Sequence, residues 1–322
     1  MADGNDNIFV YLGGDQVVPR GVAHAIIDPS VNLVRRGAFG NCQRLVSVRF
    51  HDGVEIIESG AFYGCESLPR IKLLGVREIG DEAFQACHAL SDVEFGDKLE
   101  TIGYTAFCAC SPRSIKIPSV RTVQPDGFRA CKQLTDVEFG IDLERIGLDS
   151  FLACWNLRRI VIPLKDNLFP PDPIDRQYTQ FDDCSNLTAV NLVGTEGIHI
   201  TISSFLLESW KNEMNEEIDR INRELPNTPA REKTNAIRLW IRSVINRMDH
   251  YKAEHNRLLK EFMTLIELAV WKAKLDEKEE DSTQRVQRKR AKIDEDSMRK
   301  EKRITSGADT IIKNVLPFLK LL

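Results

Sequence analysis

The 322-residue chain contains little of what an enzyme or a membrane protein requires. Aromatic residues make up 7% of it, and there are only six histidines and five methionines. Its longest apolar runs, such as Ala269-Val270-Trp271 beside Leu265-Ile266, fall far short of the roughly 18–20 residues of a membrane span, so no membrane partner is expected. There is no Gly-rich phosphate loop, no Gly-x-Ser-x-Gly turn and no His-Glu-x-x-His. Phosphoryl transfer, serine hydrolysis and zinc proteolysis are therefore left without their usual carriers. The histidines are scattered, and His250 and His255 are five apart, a spacing that splays them around a helix. Cys108-Ala109-Cys110 lacks the two-residue spacing of a zinc knuckle and has no second half. No catalytic residue, cofactor or metal site is expected, and the chain reads as a non-enzyme.

The first six residues, Met1 to Asp6, hold neither a basic leader nor an apolar stretch, so no secretory signal is expected. The net charge of −4 is unevenly spread. Residues 1–204 carry 19 Lys/Arg against 27 Asp/Glu, and residues 205–322 carry 25 against 21. An acidic half joined to a mildly basic one is too weak an asymmetry to name a partner.

What is abundant is order. Phe-x-x-Cys recurs seven times, with phenylalanines 39, 62, 84, 107, 128, 151 and 181 and cysteines 42, 65, 87, 110, 131, 154 and 184. The spacings are 23, 22, 23, 21, 23 and finally 30 residues. A period near 22 fits one coil made of a strand and a short helical return, which cannot bury its apolar face alone. Each cysteine holds a fixed place in an apolar pattern, which suits reduced thiols in a core better than a disulfide framework. An intracellular, cytoplasmic protein is expected on that ground. Cys108 alone lies outside the repeat position and is the expected exposed thiol.

Each coil supplies a pair two apart, as in Val48/Phe50, Ile71/Leu73, Val93/Phe95 and Val137/Phe139, the period of a strand with one face inward. A second pair three apart follows, as in Val54/Ile57, Val76/Ile79 and Leu99/Ile102. The fourth coil, Cys110-Ser111-Pro112-Arg113-Ser114, is one residue short and predicts a shortened turn without a break. Val22, Ala25 and Ile27 sit at strand offsets before Phe39, so residues 22–34 predict a half-coil cap. Phe169-Pro170-Pro171-Asp172-Pro173 lies in an insertion and predicts a protruding loop over 164–180.

The recurring Ile-Gly-x-x-Ala-Phe-x-x-Cys segment, as in Ile79 to Cys87, resembles the BspA-like leucine-rich repeat family over residues 20–194. More narrowly, the chain resembles the diatom members of that family with a helical C-terminal region. The resemblance implies an α/β repeat fold, a leucine-rich repeat solenoid of about seven coils with parallel strands on one face and a C-terminal helical bundle. It implies no activity. Gln180 departs from the family pattern, standing where a small residue precedes Phe, and predicts looser packing of the seventh coil.

From Phe205 the apolar period becomes helical. Leu207, Trp210, Met214, Ile218 and Ile221 mark one helix, which Pro226 ends, and Thr228-Pro229 signals the start of the next. Ile237, Ile241, Val244 and Met248 mark a second, and Leu258 to Val270 its continuation or a third. Trp210, Trp240 and Trp271 are expected core anchors. The expected domains are an N-terminal segment 1–21, the solenoid 22–200, a helical domain 201–273, a charged segment 274–303 without a fold, and a C-terminal helix or tail 304–322. Leu316, Phe318 and Leu319 of that tail are expected to pack into a bundle on the seventh coil.

Residues between the inward strand positions point outward. Arg49, Arg70, Lys72, Asp92, Glu94, Lys116, Asp136, Glu138 and Arg159 form that candidate partner-binding face, and their sign alternates coil by coil from the second to the sixth. Parallel neighbours would set Arg70 beside Asp92, Lys72 beside Glu94, Lys116 beside both Glu94 and Glu138, and Asp136 beside Arg159. This is either a charge ladder that keeps an exposed sheet soluble and in register or a surface for a protein or peptide partner. The proline loop at 170–173 is a second candidate surface. Lys289, Arg290 and Lys292 fit a nuclear-import segment. The basic stretch 285–303 therefore offers an alternative, a nuclear or nucleic-acid-associated regulator, although it has no interleaved aromatics to stack on bases. A scaffold that binds a protein or peptide, acting as a monomer, is the favoured expectation.

Overall fold

The computed structural model describes residues 8–174, 177–194 and 204–290. They divide into a unit Met1–His255 and a unit Asn256–Leu322. In the first unit every strand pairing is parallel and joins neighbouring coils. One column consists of short strands, Leu33–Val34, Ile56–Ile57, Glu78–Ile79, Thr101–Ile102, Thr122–Val123 and Arg145–Ile146, running unbroken as six. The other column is the broader strand face. It falls into three ladders: Phe9–Tyr11 with His24–Ile27 and Ser47–Arg49, Arg70–Leu73 with Asp92–Phe95, and Ser114–Ile117 through Asp136–Phe139 and Arg159–Pro163 to Ala189–Val193. One gap between ladders falls at the short fourth coil. The expected shortened turn is there, and the broad face loses strand pairing across it while the short-strand column continues.

The seven phenylalanines are fully buried and stack face to face, with successive centroids 4.9, 5.2, 5.1, 5.3, 5.5 and 5.6 Å apart. Offset or tilted aromatic pairs at this spacing add about 0.5–1.5 kcal/mol each beyond area burial. The cysteine has an equally regular task. Its Sγ–H donates to the carbonyl of the phenylalanine one coil earlier, Cys65 to Phe39 at 3.2 Å, Cys110 to Phe84 at 3.1 Å and Cys131 to Phe107 at 3.2 Å. A small side chain with a weak donor thus adds a second bond, from the next coil, to a carbonyl that already accepts the N–H of the cysteine in its own coil, as Phe107 does from Cys110 at 3.1 Å. Burial raises the Cys131 and Cys154 thiols well above the ordinary range and pushes Cys184 up to about 12, so they remain un-ionised. All eight cysteines are free thiols, seven buried and Cys108 half-buried.

Coils approach closely at the turns after the broad strands. A Cβ on Gly140 would lie 1.7 Å from the Pro118 carbonyl oxygen, and one on Gly96 would lie 2.0 Å from that of Leu74. Only glycine allows this backbone contact.

The solenoid starts earlier than residue 22. Phe9–Tyr11 pairs with His24–Ile27, and Tyr11, fully buried, tilts against Phe39 with centroids 5.3 Å apart. It stands where a preceding coil would place its phenylalanine. Gln16 closes the outer edge of this strand. Its Oε1 accepts the Leu12 N–H at 2.6 Å and its Nε2 donates to the Val10 carbonyl at 3.2 Å.

The insertion before the seventh coil is only partly a protruding loop. Leu168 and Phe169 are buried, the Ile146 N–H donates to the Leu168 carbonyl at 2.8 Å, and Phe169 packs edge-on to Phe181 at 5.7 Å. The protrusion is confined to the stretch around Ile174, which is 93% exposed. Two apolar residues ahead of the prolines suffice to draw the chain back into the core. Gln180 is buried too, with its Nε2 donating to the Pro170 carbonyl at 2.8 Å, and Phe181 keeps its place in the stack.

Two helices follow, α1 (Ser204–Glu224) and α2 (Lys233–Arg290). Pro226 ends α1 in a 3-10 turn, Leu225–Asn227, and the Thr228 hydroxyl donates back to the Glu224 carbonyl instead of capping the next helix. A second 3-10 turn, Ala230–Glu232, leads into α2. The helices meet through Met214, Ile221, Ile237, Ile241 and Val244, and the Trp240 indole N–H donates to the Glu217 carbonyl at 3.1 Å. Trp240 is thus the expected anchor. Trp271 is 65% exposed and is not one, and the Trp210 side chain lies outside the described residues.

Helix α2 also corrects the expectation for 274–290, the described part of the charged segment 274–303. It runs unbroken from the second apolar stripe through the third and on to Arg290. A polar sequence rich in Glu, Lys, Gln and Arg has too little apolar surface to pack. Its residues are nonetheless among the best helix formers, and a helix already nucleated extends through them. Residues 291–322, with Leu316, Phe318 and Leu319, lie outside the described residues.

The helices take the place of an eighth coil. The Phe151 N–H donates to the Gln180 carbonyl of the coil above, and the Phe181 N–H, which has no coil above, donates to Thr234 Oγ1 at 3.0 Å. The Val190 N–H donates to Asn222 Oδ1 at 2.8 Å. The buried Lys233 ammonium donates to the Ser185 and Leu187 carbonyls at 2.8 and 2.6 Å, and burial draws its pKa down.

Two predictions follow from this interior. Cys131→Ala should cost about 0.5–1.5 kcal/mol, the worth of its lost hydrogen bond to the Phe107 carbonyl, which keeps the Cys110 N–H, whereas Cys131→Ser, which keeps a donor, should cost less. Urea denaturation of both variants decides this, and equal losses would remove the thiol's role. The second concerns Asp182, whose Oδ1 is buried without a hydrogen-bond partner. Burial, with Asp149 and Asp183 adding to it, pushes this carboxyl up to about 6. A carboxyl raised above its unfolded value contributes stability that is full at about pH 4 and falls as pH rises through about 6. Asp182→Asn should therefore stabilise the protein at pH 7.5, by on the order of 1 kcal/mol once solvent screening is allowed for, and change little at pH 4. Thermal melts at the two pH values measure it.

Candidate interaction surface

The strand face presents the residues that inward packing leaves over. In Arg70–Leu73 and Ser114–Ile117 burial alternates strictly, with Ile71, Leu73, Ile115 and Ile117 inside and Arg70, Lys72, Ser114 and Lys116 outside. Arg49, Arg70, Lys72, Asp92, Glu94 and Lys116 are exposed, while Asp136, Glu138 and Arg159 are half-buried. The nine expected residues therefore share one face, and it becomes more sheltered toward the sixth coil.

Register sets their pairing. Arg70 faces Asp92, Lys72 faces Glu94, Lys116 faces Glu138 and Asp136 faces Arg159 across parallel neighbours. Three of these close as ion pairs: Lys72–Glu94 at 2.5 Å, Lys116–Glu138 at 2.7 Å and Arg159–Asp136 at 2.9 Å. The Arg159 guanidinium holds the Asp136 carboxyl below the usual carboxylate range, and Glu94 raises the Lys72 ammonium above its own. The expected second contact of Lys116, with Glu94, falls across the gap between ladders, where no strand pairing fixes the register. Arg49, Arg70 and Asp92 have no ion-pair partner among the described residues.

A second charged column escaped the sequence reading. Glu55, Arg77, Glu100, Arg121 and Glu144 each follow the first apolar residue of the short-strand column and alternate in sign. Arg77–Glu100 and Arg121–Glu144 each close at 2.5 Å. The Arg121 guanidinium holds Glu144 low and is itself raised by it. The signal was the charge at one fixed offset in five successive coils.

Lys132 sits over the exposed Trp155 ring, 4.8 Å from its centroid. No helix among the described residues is long and apolar enough to cross a membrane, and no cluster of three or more metal-ligating side chains occurs among them. Lys289 and Arg290 fall at the end of α2, with side chains outside the described residues, and Lys292 lies wholly outside them.

No curated protein matches this chain. Among solved structures, the leucine-rich repeat protein of T. pallidum is 28% identical. That match covers 49% of this chain and 76% of that one with a TM-score of 0.38. A leucine-rich repeat protein from Bacteroides ovatus is 25% identical over 54% of this chain and 56% of its own, with a TM-score of 0.37. A leucine rich cell surface protein from Faecalibacterium prausnitzii is 25% identical over 53% and 60%, with a TM-score of 0.28. The model of the BspA type leucine rich repeat region matches six copies, over residues 22–118, 71–188 and 114–214. With that motif repeated across more than half its length and stacked as parallel coils, the chain belongs to the BspA-type leucine-rich repeat family.

Proposed function

We propose that this protein is a non-catalytic interaction or scaffold protein that binds a protein or peptide through its solenoid surface. The observation that carries the reading is the strand face, a rigid outward array of charged side chains fixed by parallel register. Family membership supports it as analogy, because repeat solenoids serve widely as binding surfaces. The free thiols support a reducing, intracellular setting.

Within the face, the paired charges of coils two to six hold one another. Each exposed pair contributes a few tenths to about 1 kcal/mol to the fold and offers a partner little net charge. The unpaired members, Arg49, Arg70 and Asp92, occupy its first half. Recognition is assigned to that half, with the stretch around Ile174 as the other surface to test.

Capture of partners from the native cell by the purified full chain, read by mass spectrometry, tests this. The double variant Arg49→Glu/Arg70→Glu, at exposed positions, should fold normally and lose at least tenfold of the captured partner. Capture unchanged in this variant but lost on Ile174→Asp would move the surface to the loop. No partner captured by the unaltered chain would contradict the proposal.

A further inference from the structure

Residues 16–51 contain five arginines, Arg20, Arg35, Arg36, Arg44 and Arg49, and one acid, Asp28. This is a basic end on a solenoid half that is otherwise acidic. In the middle coils Lys72, Arg77, Lys116, Arg121 and Arg159 each pair with an acid one coil away. The first coil has fewer such pairs among the described residues. Arg35 reaches the fully exposed Asp15 at 3.5 Å, and Arg20 donates to the Gly40 carbonyl at 3.3 Å. Arg36, Arg44 and Arg49 have no ion pair among the described residues. Asp28 is engaged elsewhere, accepting from the Ser30 N–H at 2.9 Å and hydroxyl at 2.6 Å, bonds that hold its carboxyl low.

Three of these arginines converge. Arg20, Arg35 and Arg36 line a cleft of about 650 Å³ between the loop Gly14–Arg20 and the corner Arg35–Gly40. That volume lies within the range of ordinary ligand sites. Asp15 and Glu58 also line it, but Asp15 is paired with Arg35, and one Glu58 oxygen already accepts the Arg36 N–H at 2.8 Å, which leaves Arg20 and Arg36 as its cations without an ion pair among the described residues. Val17, 84% exposed, and Pro19 add an apolar step to the wall.

We infer that this cleft binds an acidic peptide segment, with carboxylates on Arg20 and Arg36 and an apolar side chain against Val17. Arginine suits the task because its planar fork pairs carboxylates in bidentate geometry. A short segment is favoured over a nucleic acid. The cationic end is small and the coils beyond it are acidic, so a long polyanion meets repulsion as soon as it leaves the cleft. The inference rests on the protein-interaction reading and deepens it with a ligand chemistry and a second site, separate from the strand face.

Fluorescence anisotropy with the full chain tests it, using labelled hexaglutamate as probe, with hexalysine and single-stranded DNA of equal charge in parallel. Hexaglutamate should bind saturably and weaken as salt rises. Arg20→Ala and Arg36→Ala should each weaken it at least tenfold with an unchanged melting temperature, while Arg145→Ala, outside the cleft, should leave it alone. Absence of binding, an equal loss with Arg145→Ala, or equal binding of the DNA would each overturn the inference. The strand-face variant Arg49→Glu/Arg70→Glu separates the two sites. Hexaglutamate binding retained there, alongside lost partner capture, leaves both readings standing. Partner capture retained in Arg36→Ala when hexaglutamate does not bind the unaltered chain removes the cleft alone.

Discussion

Every coil depends on its neighbours for hydrogen bonds it cannot make itself. The phenylalanine N–H donates forward to a carbonyl of the next coil, and the cysteine thiol donates backward to the phenylalanine carbonyl of the previous one. Both groups are buried among apolar side chains, where an unpaired N–H would cost its full desolvation penalty. Stacked rings hold the coils about 5 Å apart, and the glycines at the turns let the backbones come that close. Stability in such an array is close to a sum of nearest-neighbour terms, so its two ends are where it fails.

Both ends are closed by side chains that imitate a missing neighbour. At the start, Tyr11 supplies the ring and the Gln16 carboxamide pairs the open strand edge. At the finish, Thr234 receives the last phenylalanine N–H, Asn222 receives an N–H of the last broad strand, and Lys233 collects two carbonyls of the final turn. Pairing a strand edge with an amide side chain also removes a template on which another chain could assemble. The charged ladders have the complementary role on the outside. They accompany the parallel register and keep the broad sheet wetted, and where they run out, at the first coil, Arg36, Arg44 and Arg49 are left without an ion pair among the described residues.

How much of this was legible depends on whether a residue acts by repetition or alone. The Phe-x-x-Cys period, the two apolar columns and the strand-face pairs each repeat at a fixed offset, so the sequence displays them several times over. The Glu55, Arg77, Glu100, Arg121, Glu144 column is equally legible, because its charge recurs at one fixed offset after Val54, Val76, Leu99, Val120 and Leu143. Gln16, Asn222, Lys233 and Thr234 each act once, through neighbours that only folding supplies, and nothing near them in sequence marks them. Two elements misled for physical reasons. Prolines 170, 171 and 173 suggested a loop while Leu168 and Phe169 were already core. The charge of residues 274–290 suggested absence of structure, although helix propensity needs no apolar face once a helix is under way.

The helical segment serves as the eighth coil. Native-state hydrogen exchange at the Phe181 amide measures this directly, because that proton is bonded to Thr234 Oγ1 and to no coil. If the account is right, Phe181 exchanges as slowly as Phe107 in the unaltered chain and at least tenfold faster in Thr234→Val, while Phe107 is unaffected. Fast exchange at Phe181 in the unaltered chain, or slow exchange that persists in Thr234→Val, would contradict it.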